Sequence, residues 1–113
     1  MKRIIAFIRP NMLEDVIFAL HGIEGFPGAS ISEVQDIGSG VREPREETDR
    51  TPFHGFAKFI RMEIVCACAR ADEIVETIQH KAHTGLPDDG TIGVSTVDLA
   101  VSIGTGARGE DVG

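Results

Sequence analysis

The chain has 113 residues, of which 42% are hydrophobic and 26% charged, and this length and composition fit one compact domain spanning residues 1–113. Eleven basic and eighteen acidic side chains give a net charge of -7, which argues against a protein that binds nucleic acid through its backbone. No apolar stretch approaches the roughly 20 residues that span a bilayer, and the apolar run Ile4–Ile8 is too short for a signal peptide, so we expect a cytoplasmic protein.

The first third of the chain predicts a strand, a helix and a second strand. Lys2–Arg9 is predicted as a buried strand that ends at Pro10, because proline has no backbone N–H to donate. Asn11 is the predicted N-cap of a helix, which ends near Gly22. The β-branched residues of Ala29–Ile37 favour a strand. One face of the helix carries apolar residues at helical spacing, namely Leu13, Val16, Ile17 and Leu20.

A stretch without hydrophobic periodicity follows, from Gly38 to Ala57. Loops of this length are unusual in a compact domain and are commonly functional or disordered. Residues 42–50 carry three basic and four acidic side chains, a pattern that most often marks a solvated surface. The loop is therefore the first indication of a functional segment.

The second half of the chain repeats the order of strand and helix. Lys58–Ala67 alternates clearly and predicts a strand, and Asp72 is the predicted start of a second helix that Gly85 ends. Thr91–Val97 predicts the last main strand, and Ala100–Ile103 a short extension. The second helix has an apolar face made of Ile74, Val75, Ile78 and Ala82.

This order predicts an α+β fold, the ferredoxin-like βαββαβ sandwich, with the long loop between strands 2 and 3. Both helices cover the same face of an antiparallel sheet, so the other face stays uncovered. Strand residues on that face, Ile5, Phe7, Ile64 and Cys66 or their neighbours, would then meet solvent unless a partner covers them. We therefore predict a homo-oligomer.

The cysteines and histidines leave a metal-binding alternative open. In an extended strand Cys66 and Cys68 point to the same face, but a disulfide between residues two apart has poor geometry, so reduced structural thiols are expected. His80 and His83 lie three residues apart on the second helix, where two imidazoles can share a face, although surface histidines are the simpler interpretation. The alternative is a metal-binding ferredoxin-like trimer that serves metal response or transport control. No nucleophile and base pair is visible, so we expect no enzyme.

Several short motifs occur in a fixed order along the chain. They include Arg9-Pro10, Ser32-Glu33-Val34, Met62-Glu63-Ile64-Val65, His83-Thr84-Gly85 followed by Asp89-Gly90-Thr91-Ile92, and Ile103-Gly104-Thr105-Gly106. With these motifs the chain resembles the PII family of nitrogen regulatory signal-transduction proteins almost from end to end. The resemblance implies a homotrimer with adenine nucleotides in the clefts between subunits. It also implies a T-loop (38–57) that contacts client proteins, a B-loop (85–91) and a C-loop (102–108).

The resemblance also suggests which residues would bind a ligand. They are Ser30, Asp36, Gly38, Ser39, Gly85, Asp88, Gly90, Thr91, Ser102, Thr105 and Arg108. Typical members hold the nucleotide phosphates with four basic side chains, at positions where this chain has Ser39, Thr91, Ser102 and Gly104. Losing three or four charge-assisted hydrogen bonds would cost ~5–12 kcal/mol, so the ligand stays open among ATP, ADP, AMP and a smaller anion. Arg9, Arg42 and Arg108 are the candidate replacement cations.

Two further properties of the family are not expected here. Binding of 2-oxoglutarate through magnesium would need a glutamine where Gly40 stands and a lysine where Phe59 stands. Uridylylation would need a T-loop tyrosine, and the chain has no tyrosine.

The resemblance also predicts that the T-loop binds a protein client, and a membrane transporter is among the candidate clients. Its apolar anchors and charged contacts are predicted to be Arg42, Arg45, Arg50, Phe53, His54 and Phe56.

Overall fold

The computed structural model describes residues 1–37 and 56–112, and for Phe56 and Asp111 the backbone only. Four strands and two helices alternate in the predicted order. They are β1 (Lys2–Ile8), α1 (Leu13–His21), β2 (Ser30–Ile37), β3 (Phe56–Cys66), α2 (Cys68–Ala82) and β4 (Gly90–Thr96). The α+β fold predicted from the sequence is confirmed.

The four strands form one antiparallel sheet in the order β2-β3-β1-β4. The central strand β1 is paired along its whole length on both sides, with Lys2 opposite Cys66 and Thr96 and with Ile8 opposite Ile60 and Gly90. This register fixes two ends of the sheet. The connection from β2 to β3 leaves at the end where Ile8 lies, and the chain beyond β4 leaves at the end where Lys2 lies.

Both helices pack on one face of the sheet. The core joins β1 residues Ile4, Ala6 and Ile8 to Leu20 of α1 and Ile78 of α2, all at most 1% exposed. Alternation puts every second strand residue on this face, which is why β1 and β3 have a period of two in burial.

The described residues do not cover the opposite face of the sheet. Two of the residues that were predicted to lie on that face lie on the helix-covered face instead. Ile64 and Cys66 are buried with the helices, because Ile64 pairs with the core residue Ile4. Ile5 and Phe7 are half-buried on the uncovered face, as predicted. Their partners there are Glu63 and Arg61, which form an ion pair at 3.1 Å.

Three predicted element boundaries were wrong. Asn11 lies in a 3₁₀ turn (Pro10–Met12), and α1 has Met12 as its N-cap with no side-chain cap. The helix α2 begins at Cys68, one turn before Asp72. Phe56, predicted in the loop, is the first residue of β3, opposite Ile37.

Neither helix in the described part of the chain is long and apolar enough to cross a membrane.

Candidate functional site

The connection from α2 to β4 is organised around the carboxylate of Asp89. It accepts hydrogen bonds from the backbone N–H groups of Thr84, at 2.8 Å, and Gly85, at 3.3 Å, and from the Thr84 hydroxyl. His83 Nδ1 lies 3.4 Å from Oδ2, the oxygen that also accepts from the two backbone N–H groups. These bonds close residues 84–89 into a fixed loop, so the B-loop has a defined backbone shape.

Arg9, at the end of β1, joins this loop to the sheet. Its Nε lies 3.1 Å from Asp89 Oδ1, and its Nη2 donates to the carbonyl of Pro87. The pKa of Asp89 is lowered to about 2, first by the Thr84 hydroxyl and backbone N–H and then by Arg9. Asp89 is therefore ionised at neutral pH, and Arg9 is already paired with it. This pairing makes Arg9 a poor replacement cation for a phosphate.

Two backbone conformations shape the entry into β4. Asp88 has φ +63° and Gly90 has φ +118°. A Cβ on Gly90 would lie 1.8 Å from the carbonyl oxygen of Phe7, so only glycine fits where β4 joins β1. The backbone contact at Gly90 thus couples the B-loop to the sheet, in addition to the Arg9 contacts.

An open cleft of about 400 Å³ lies beside the B-loop, between α2 and the edge strand β4. Its floor is apolar, with Ile78 and Ile92, and Asp89 and His83 stand at its polar rim. A cleft with this mixture of groups can hold a small molecule by burial and by a few hydrogen bonds.

The C-loop is a second closed loop, held by its own hydroxyl groups. Ser102 N–H donates to the carbonyl of Ala107 and Gly106 N–H to the carbonyl of Ser102, both at 2.8 Å. The Ser102 hydroxyl accepts from Thr105 N–H, and the Thr105 hydroxyl from Ala107 N–H. Arg108 is exposed and pairs through its backbone with Val101.

The two loops lie at opposite ends of the sheet. The B-loop leads into Gly90, which is opposite Ile8 at the end of β1. The C-loop comes after Thr96, which is opposite Lys2 at the beginning of β1. A strand of seven residues separates them by roughly 20 Å. A small ligand bound at one loop would therefore lie about a strand length from the other loop of the same chain.

The predicted ligand-binding residues divide accordingly. The structure brings together Gly85, Asp88, Gly90 and Thr91, and separately Ser102, Thr105 and Arg108. Asp36 is at the same end as the B-loop but on the other edge strand, about 14 Å across the sheet and about 10 Å beyond the register of Gly90. Ser30 is opposite Glu63, farther along that edge.

The remaining predictions fall on residues outside those that the structure describes. They concern Gly38, Ser39, Arg42, Arg45, Arg50, Phe53 and His54.

Sequence reasoning missed two residues that organise these loops. Asp89 was quoted only as part of a motif, although Thr84-Gly85 shortly before an aspartate is a signal for a side-chain-closed turn. Glu110 contacts the amino group of Met1 and the backbone of Cys68, and no local pattern indicates such distant partners.

The described residues give the metal-binding alternative no support, because they contain no cluster of three potential ligands among His, Cys, Asp and Glu. Both cysteines are free, as expected. They do not share a face, since Cys66 ends β3 in the core and Cys68 begins α2 at the surface. Burial raises the pKa of the Cys66 thiol.

Comparison with known proteins gives a consistent result. The family model described as "Nitrogen regulatory protein P-II" matches residues 1–107. The chain is 34% identical to the nitrogen regulatory protein P-II of Azospirillum brasilense and 35% identical to that of Rhodospirillum rubrum, with 98% of both chains covered in each case. It is 36% identical to the nitrogen regulatory protein P-II 2 of Methanothermobacter thermautotrophicus, over 97% of this chain and 95% of the relative. The chain belongs to the family of nitrogen regulatory P-II signal-transduction proteins.

Proposed function

We propose that this protein is a nitrogen regulatory signal-transduction protein that senses a small effector and controls a protein client through residues 38–57. The observation that carries the proposal is the strand register. It places Ile37, which precedes that segment, and Phe56, which lies near the end of it, at the same end of the sheet as the B-loop. A ligand at the B-loop would therefore lie at the end of the sheet from which the segment that contacts the client leaves. Family membership supports a regulator rather than an enzyme.

The separation of the two loops supports an assembly of several copies, which we propose to be a homotrimer. Because the B-loop and C-loop of one chain are roughly 20 Å apart, a site that uses both must combine the B-loop of one copy with the C-loop of another. The uncovered sheet face, with Ile5 and Phe7, supplies apolar surface for the contact between copies. Three copies around one axis would form three such clefts.

An adenine nucleotide is the first effector to test, and the charges favour one with few phosphates. Arg9 is paired with Asp89, and Thr91 provides a hydroxyl rather than a cation. Asp88 adds a negative charge to the same loop. Arg108, supplied by the neighbouring copy, is then the arginine that we propose for an anionic ligand. We expect AMP or ADP to bind better than ATP.

The client is a protein, with a membrane transporter among the candidates, and the site of action is the cytoplasm. The pathway proposed is nitrogen metabolism, because the relatives carry that name. The contacts proposed for the client are Arg42, Arg45, Arg50, Phe53 and His54, with Phe56 at the start of β3.

A subunit-mixing experiment tests the shared cleft. Thr91→Glu places a negative charge beside the B-loop, and Arg108→Glu reverses the cation of the C-loop. Each variant alone should lose ADP binding in calorimetry. When the two are unfolded together and refolded at equal amounts, about one quarter of the clefts should combine an intact B-loop with an intact C-loop, and binding should return to that extent.

Three results would contradict the proposal. A solution mass of one subunit would exclude the shared cleft. Wild-type protein without heat or thermal shift from millimolar ATP, ADP or AMP would exclude the nucleotide. Mixed variants that stay inactive although they form mixed trimers would show that one chain holds the whole site. A pull-down with and without charge reversal of Arg42, Arg45 and Arg50 tests the client contact.

A further inference from the structure

The first turn of α2 has no capping side chain of its own. Its N-cap is Ala67, which cannot accept a hydrogen bond through its side chain, and the first turn contains no acidic residue. The first N–H groups of a helix have no partner within the helix, and a capping side chain normally satisfies one of them. The partner of the Cys68 N–H must therefore come from elsewhere.

Glu110 provides that partner from a position 42 residues later in the chain. Its Oε1 accepts from Cys68 N–H at 3.1 Å, and its Oε2 lies 2.7 Å from the amino nitrogen of Met1. The pKa of Glu110 is lowered, first by the Met1 contact and then by the backbone of Cys68, so the carboxylate is charged at neutral pH. A negative charge at this position also interacts favourably with the helix dipole.

The C-loop lies between two attachment points. On one side Val97 N–H donates to the carbonyl of Met1, at 3.0 Å, where β4 ends. On the other side the 3₁₀ turn Gly109–Asp111 carries Glu110 to α2. Gly109 N–H donates to the carbonyl of Ala100 and closes the base of the loop, also at 3.0 Å. Every bond that fixes the loop to the rest of the fold is thus near one of these points.

We infer that Glu110 is a positioning residue, which caps α2 and thereby holds the C-loop in the place where it can meet a ligand. The ligand part of this inference rests on the proposed function. The coupling works in both directions: a ligand that orders the C-loop stabilises the cap on α2, and loss of the cap loosens the C-loop.

Hydrogen exchange of single amides tests the cap directly. In Glu110→Ala, the amides of Cys68, Ser102 and Gly109 should exchange at least about tenfold faster than in wild type. In wild type, local opening at these amides must first break the Glu110 contacts, and in the variant this cost is absent. Amides in the middle of β1 and β3 should not change. Glu110→Gln retains an oxygen that can accept from Cys68 N–H, so it should restore part of the protection at Cys68.

The matched control is Glu76→Ala. Glu76 is an exposed glutamate of the same helix, and its side chain has no hydrogen bond or ion pair with the described residues. The Glu76→Ala variant removes the same charge and should leave the exchange rates of all these amides unchanged. Unchanged protection at Cys68 in Glu110→Ala, in a variant with native circular dichroism, would overturn the inference.

A second measurement separates this inference from the proposed function. In wild type, ADP should slow exchange at Cys68, and in Glu110→Ala it should bind several-fold more weakly and leave that amide unprotected. If wild type binds no ADP, the proposed nucleotide function fails while the exchange test of the cap stands. If ADP binds both proteins equally well although Cys68 is unprotected in the variant, Glu110 caps the helix but does not position the C-loop for the ligand, and the inference is wrong.

Discussion

Replacing Gly90 by alanine should destabilise the protein far more than the same change three residues later. The carbonyl oxygen of Phe7 would lie 1.8 Å from the new Cβ, well inside contact distance, and the backbone has φ +118°, a region that other residues hardly adopt. The strain of the backbone amounts to about 1–3 kcal/mol. Moving β4 away from β1 to relieve the clash would weaken one or two ladder hydrogen bonds, at about 1 kcal/mol each. The sum is about 2–5 kcal/mol.

The matched control is Gly93→Ala in the same strand. No atom of the same chain lies within 4 Å of a Cβ there, and its backbone has no positive φ, so we expect a change within about 1 kcal/mol within one subunit. Because Gly93 is opposite Ile5 on the face proposed to contact other copies, the solution mass of the variant is measured as well. Urea unfolding of both variants and wild type at one fixed subunit concentration measures the difference, since an oligomer's stability depends on concentration. Equal stability of the two variants would refute the argument that contact with β1 selects glycine at position 90.

Three further predictions follow from burial and charge. Because the pKa of Asp89 falls from 3.8 to about 2 on folding, its stabilising contribution should be complete above about pH 4 and disappear as the pH drops toward 2. Acid unfolding of wild type and Asp89→Asn should therefore converge in that range, and a constant difference would contradict it. Leu20→Ala should lower the free energy of unfolding by about 2–5 kcal/mol, because Leu20 is only 1% exposed. Phe18→Ala on the same helix should lower it by less than about 1 kcal/mol, because Phe18 is 84% exposed. Similar losses for the two variants in urea unfolding would contradict this. Iodoacetamide should label Cys68 in the native protein and leave Cys66 unlabelled, because Cys66 is fully buried and burial raises the pKa of its thiol. Mass spectrometry of peptides measures the labelling. Equal labelling of the two cysteines would contradict the prediction and mean that β3 opens at its end.

Strands, helices and their order could be predicted because their signals are local. The alternation in β3 and the apolar faces of α1 and α2 arise from residues within a few positions of one another. The start of α2 could not be predicted in this way. The residue that caps it, Glu110, is 42 positions away, so the search for a local cap moved the expected start to Asp72.

The candidate site shows the same division between local and distant information. The motifs grouped Gly85, Asp88, Gly90 and Thr91 correctly, because these residues are close in sequence. That Arg9 is paired with Asp89 depends on the register of β1 against β4, which brings residues 80 positions apart together. The resemblance alone therefore left Arg9 among the replacement cations, and the geometry shows that it is already paired with Asp89.

The pairing of Arg9 also determines how an anion could be recognised. The B-loop and the end of β1 contribute one arginine and two aspartates, and the arginine's Nε and Nη2 are occupied by Asp89 and the Pro87 carbonyl. An anion that approaches this end can then be stabilised by backbone N–H groups, by the exposed Lys58 or Lys81 of the same chain, or by a cation proposed to come from another copy, such as Arg108. Each additional phosphate on a nucleotide adds negative charge near Asp88 and Asp89, and this part of its electrostatic contribution is unfavourable. A preference for nucleotides with few phosphates would thus have two causes. The chain lacks the basic residues that typical family members have, and its Arg9 is already paired with Asp89.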